Sequence, residues 1–188
     1  MLWREVARRR RRKAGRRPGP TLPIVDAQVV ECVGARGPRG YGAAKGVGGR
    51  KRVALVAAEG HWLAIAVAPA SAQERDALPT LGVGKADWPS LREGVYRGAS
   101  AADRCRAWSS LHGMRHRGVM REPTAPGFVV LARRWVVERS FGWLPPWGGL
   151  AKDRAGRLDV SAGRLALTAV LSGVEALLNP LPIRDAGS

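Results

Sequence analysis

Two carboxylates stand where a carboxylate needs a reason. Asp26 lies in the middle of PIVDAQVVEC, an otherwise apolar and largely β-branched run. Glu138 interrupts RRWVVERSFGWL, which is otherwise apolar and cationic. Asp is disfavoured inside strands, so Asp26 either faces water near a strand end or points into a site. Paired carboxylates from a strand and a distant helix can hold Mg²⁺, a hard cation that prefers oxygen ligands. Two such ions about 4 Å apart activate a water or a 3′-hydroxyl and stabilise the leaving oxygen in phosphodiester chemistry. The simpler alternative for Glu138 is an exposed Arg134–Glu138 pair, worth about 0.3 kcal/mol and in the less favourable orientation.

The elements that must position these groups can be read from pattern. PIVDAQVVEC predicts a strand. VGARGPRGYGAAKGVGGR predicts a long basic glycine-rich loop that lacks the GxxxxGK[ST] spacing of a phosphate-binding loop. KRVALVAA and HWLAIAVAPA, joined by turn residues, predict a hairpin. Ser71 with Glu74 three residues on has capping-box spacing for a short helix. A short strand is expected near Leu91, and SAADRCRAWSSLHG predicts a helix between Ser100 and Gly113. MRHRGVMRE predicts a basic strand. FVVLARRWVVERSFGWL predicts a helix stopped by Pro145-Pro146. On its wheel Val136, Val137, Phe141, Trp143 and Leu144 form one apolar arc, with Arg134, Glu138 and Gly142 opposite. A last helix from Ser161 to Asn179 carries Leu167, Leu171, Val174 and Leu178 on one stripe. Strands and helices in this order predict an α/β fold, a mixed sheet with helices packed on both faces.

Charge narrows the partners. The 188 residues carry a formal net charge of +17, of which +8 falls on residues 1–17. A body still at +9 is attracted to polyanions, and nucleic acid is the commonest large one. The arginine-rich start has no apolar core of a secretory signal and reads as a flexible arm over residues 1–19, ended by RRPGPTLP. No run is expected to span a bilayer, and no membrane partner is expected. Cys32 and Cys105 form no CxxC, and His61, His112 and His116 lack metal spacing, which argues against zinc and fits a reduced compartment. An RNA-binding reading explains the charge but not the two carboxylates, and RNA-stacking motifs are absent. Trp135 and Trp143 read as core.

RRWVVERSFGWL followed by LAKD resembles the C-terminal signature of DDE transposases from bacterial insertion sequences. VDAQVV is similar to that family's first-carboxylate strand. RGYGAAKGVGGRKRVALVAAEGHWLAIAVAPASAQERD resembles its next segment almost continuously, and the likeness runs from about Pro20 to Leu178. The resemblance implies a ribonuclease-H-like catalytic domain over residues 20–179, with 180–188 as a tail. It implies three carboxylates that bind two divalent ions, Mg²⁺ with Mn²⁺ as a substitute, and that cut and join DNA. Carried over, the first is Asp26 and the third Glu138, with Arg134 matching the arginine four before that glutamate.

The second carboxylate falls on Glu93 in REGVYRG, where the family has Asp three residues before Tyr; Asp87 is a fallback without motif support. The extra methylene of Glu93 displaces its oxygens by over about 1 Å, a misplacement to which such sites are sensitive. Arg134, Lys45, Arg50, Lys51, Arg52, Arg139 and Lys152 are the expected DNA-contacting cations. The family's Asp after Gly-Tyr is Gly42 here, its turn Asp is Ala57, its His is Val53, and PPWGG stands in place of a basic run. Its N-terminal helical DNA-binding region has no counterpart, so the resemblance implies a truncated element. Two functions stay open: metal-dependent cleavage and transfer at element ends in duplex DNA, and a DNA-binding remnant without catalysis. A homodimer and a cytoplasmic, nucleoid-associated bacterial setting are compatible with either.

Overall fold

Pro23–Glu31 forms β1, the strand on which the sheet is built. In this computed structural model residues 2–34, 36–73, 76, 81, 86–97, 102–119, 134–147 and 149–179 are described. β1 pairs antiparallel with β3 (Val47–Ala57), in register from Pro23 opposite Ala57 to Glu31 opposite Gly49. The far edge of β3 is shared. Its first residues pair with β2 (Gly40–Gly42), and Arg50 to Val56 pair with β4 (Trp62–Pro69). On its other side β1 pairs parallel with β5 (Glu93–Arg97), which pairs parallel with β6 (Arg115–Val119). Four strands paired antiparallel, β1 to β4, and two joined in parallel, β5 and β6, make a six-stranded mixed sheet, the architecture expected of a ribonuclease-H-like domain.

Side chains alternate across the sheet, so each strand feeds two cores. Val25, Val53, Leu55 and Tyr96 face one side with Trp88, Leu91, Cys105 and Trp108, the last two from α2 (Ala102–Leu111). Ile24, Ala54, Val56 and Val95 face the other, under α3 (Arg134–Gly142) and α4 (Leu158–Leu178). Helices therefore cover both faces, as the sequence pattern predicts. Trp62 meets Phe141 edge-on with ring centres 5.6 Å apart, joining α3 to β4.

Two readings change. The glycine-rich segment is not a plain loop: β2, a 3₁₀ turn at Ala43–Lys45 and the start of β3 are folded within it. The basic start is not a flexible arm but a helix, α1 (Leu2–Lys13). Val6 and Ala7 are buried, Trp3 Nε1 donates to Leu63 O at 3.2 Å, and Lys13 Nζ donates to Leu177 O at 2.6 Å. The physical reason is an apolar stripe at helical spacing hidden among arginines, complemented by Gly173 on α4. A Cβ at Gly173 would collide with Val6, so the glycine lets the two helices approach. The capping-box helix after Ser71 and residues 120–133 ahead of α3 lie outside the described residues.

Candidate functional site

Asp26 shares its sheet face with Ile24, the face covered by α3. It is 4% exposed, lies opposite Ala54, and its Oδ1 accepts a hydrogen bond from Ala27 N at 2.8 Å. α3 is seated on this face by Val136, Val137 and Phe141, which are buried with Ile24, Ala54, Val56 and Val95. Ser140 fixes its height, donating to Gly60 O at 3.1 Å across the β3–β4 turn. Glu138 follows the wholly buried Val137 and is exposed on the side of α3 away from the buried arc. Asp26 thus lies on the sheet face that α3 covers, while Glu138 stands on the solvent side of the same helix.

Glu93 does not join them. It begins β5, and its Oε1 is 2.9 Å from Arg117 Nε on β6. Because Ile24 is level with Val95, Glu93 is level with Leu22, four residues before Asp26. At roughly 3.3 Å per residue that is about 13 Å along the strands. Asp87, the fallback, pairs with Arg4 of α1. Among the described residues, no group of three or more His, Cys, Asp or Glu side chains gathers as metal ligands.

The cations divide by burial. Arg50 and Arg52, expected on DNA, are 0% and 1% exposed, and this corrects that expectation. They alternate with Lys51 on β3 and point under the segment that follows α3. Arg50 Nη1 is 3.1 Å from Asp153 Oδ1 and donates to Ala155 O at 2.7 Å, while Arg52 Nη1 donates to Leu150 O at 2.7 Å. Asp153 is itself buried, accepting also from Ala155 N at 2.9 Å and from Ser161 Oγ. These two arginines fasten the 150–157 segment to the sheet. Sequence reasoning missed Asp153 as their partner. The signal was present: two arginines alternating within a strand that is otherwise core need a buried carboxylate or carbonyls.

The other expected contacts are nearer solvent. Lys45 is exposed, Lys51 donates to Ala72 O, and Lys152 Nζ is 2.8 Å from Glu31 Oε2 in an exposed pair. Arg134 opens α3, but its side chain is outside the described residues. Arg139 lies between two tryptophans, its Cζ 4.4 Å from the Trp135 ring centre and 5.0 Å from that of Trp143. Both rings are exposed rather than core. Positions four apart stack along one side of a helix, and a guanidinium between two indole faces is a cation–π arrangement.

Arg139 also belongs to a positive rim around the β3–β4 turn. Arg11 and Arg16 pair with Glu59 there, and Arg139 Nη2 reaches Glu59 O at 3.4 Å. Desolvation together with Arg10, Arg11, Arg16 and Arg139 pulls the pKa of His61 down to about 3. Where the resemblance expects a basic run, Pro146 and Trp147 instead line a cavity of about 410 Å³ with Trp62, Trp143, Arg10 and Glu175.

Over residues 17–172, from just before β1 to near the end of α4, the chain matches a family model described as the transposase DDE domain. No curated protein matches the chain.

Proposed function

We propose a function for a chain that belongs to the transposase DDE-domain family: it engages duplex DNA through its basic surfaces without cutting it. The family acts in DNA transposition and uses divalent metal ions. The observation that carries the proposal is the position of Glu93. Held by Arg117 and about 13 Å along the strands from Asp26, it is not a shared ligand for ions that sit about 4 Å apart. On this reading the described carboxylates do not hold the family's ion pair as a set.

DNA binding is supported by the formal charge of +17 and by exposed Arg9, Arg12, Arg16 and Arg17 beside the positive rim. Affinity should fall steeply with salt, because each neutralised phosphate releases counterions. The homodimer is the assembly proposed with this reading. Fluorescence anisotropy on a labelled duplex, repeated across a salt series, tests the binding. Replacing Arg9, Arg12 and Arg17 by Gln should flatten the log–log slope by about 0.9 for each phosphate no longer neutralised. Binding that is indifferent to salt would refute it.

A second reading, metal-dependent strand cleavage, is favoured by one observation: Asp26 is buried on the sheet face over which α3 carries Glu138. Under that reading these two side chains are the ligands, and removing either abolishes cleavage but not binding.

A further inference from the structure

We infer that the face of α4 turned away from the sheet is a self-pairing surface, on which a second copy of this chain packs antiparallel about a two-fold axis. It names the contact surface for the homodimer proposed above but rests on α4 alone, so its failure leaves the DNA reading untouched.

A surface helix ordinarily shows one apolar stripe. α4 shows two. Ser161, Leu165, Thr168, Ala169 and Gly173 are buried against the sheet side and α1. Val160, Leu167, Leu171, Val174 and Leu178 lie on the opposite side, exposed from 37% at Val174 to 75% at Leu178. The spacing from Leu167 to Leu178 alternates four and three, the seam of a helix pair, with Val160 one heptad before it.

Charge selects the occupant and its direction. Between Val160 and Leu178 the only charged residues are Arg164 and Glu175, both exposed. In an antiparallel pairing centred on the stripe, Leu167 meets Leu171 of the second copy and Val160 meets its Leu178. The same register brings Arg164 beside the second copy's Glu175, once at each end of the seam. A parallel pairing would set Arg164 against Arg164 and Glu175 against Glu175. One patch complementary to itself is what a two-fold interface requires.

Magnitude sets the strength. Five side chains exposed to this degree bury on the order of 400 Å² per partner, about half of the ~800 Å² of a standard interface. Each copy also carries +17. The pairing is therefore concentration-dependent, and it strengthens as salt screens the mutual repulsion, opposite to DNA binding. By length and composition α4 is also apolar enough to cross a membrane. Its other face, however, is committed to the core, and Arg164 and Glu175 interrupt the exposed stripe.

Sedimentation equilibrium of the full chain, DNA-free and over a range of concentration and salt, tests the proposal. The wild type should be a monomer–dimer mixture that shifts toward dimer at higher salt. Leu167→Glu with Leu171→Glu, both exposed, should be monomeric with an unchanged circular dichroism spectrum. Arg164→Glu should weaken association about tenfold, since two attractive contacts become repulsive, and adding Glu175→Arg should restore it. A wild type monomeric at every concentration overturns the proposal, as does a dimer insensitive to the leucine changes or a charge swap that restores nothing. A monomer that binds neutral phosphatidylcholine vesicles overturns it in favour of lipid.

Discussion

His61 is buried beneath the β3–β4 turn among four arginines, with its pKa lowered to about 3 by desolvation and by those cations. In the unfolded chain the ring takes up a proton near pH 6.5, whereas in the fold it stays neutral. The unfolded state then binds more protons, so stability is lost as pH falls from about 6.5 toward 3. His61→Gln should reduce that slope by up to about 1.4 kcal/mol per pH unit, read from urea unfolding at several pH values. An unchanged slope would mean that the ring is protonated within the fold. Asp153 is the second residue on which much depends. Asp153→Ala should cost about 3 kcal/mol by leaving the wholly buried Arg50 without its counter-charge. Asp153→Asn, which keeps a hydrogen-bonding oxygen, should cost less. Guanidinium unfolding with an unchanged m-value checks both.

At the scale of elements, the packing of α1 on α4 is the least expected feature and the easiest to break. Gly173→Leu places a side chain where Val6 already sits, and overpacking of this kind costs about 1–3 kcal/mol. The midpoint of thermal unfolding should fall accordingly, and Val6→Ala should recover part of the loss by making room. Strands β1, β3 and β4 were legible as apolar, largely β-branched runs, β6 as a basic one, α2 from its Ser100 and Gly113 ends, and α3 and α4 because their apolar residues recur near 3.6. α1 was not, since arginines outnumber the residues that bury it and charge dominated the reading. The direction of Arg50 and Arg52 was not legible either. Alternation says that they share a face, but only tertiary structure says that the 150–157 segment covers it. Glu93 aligned with the family's second carboxylate by its spacing to Tyr96. Spacing along one strand carries no information about register against another, and register is what separates it from Asp26.

For the whole molecule, the proposed DNA engagement rests on a chain with a formal net charge of +17, and the carboxylates decide whether such engagement would become chemistry. Asp26 is buried on the sheet face under α3, the helix that carries Glu138, and Glu93 at the start of β5 pairs with Arg117 of β6. The most direct test is nicking of supercoiled plasmid by the full chain in Mg²⁺ or Mn²⁺, with DNA retention measured in the same tubes. The expected result is retention without nicking, and no nicking by Glu93→Asp either, because a shorter side chain at the same register is no nearer to Asp26. Metal-dependent nicking by the unmodified chain that disappears in both Asp26→Ala and Glu138→Ala would contradict it.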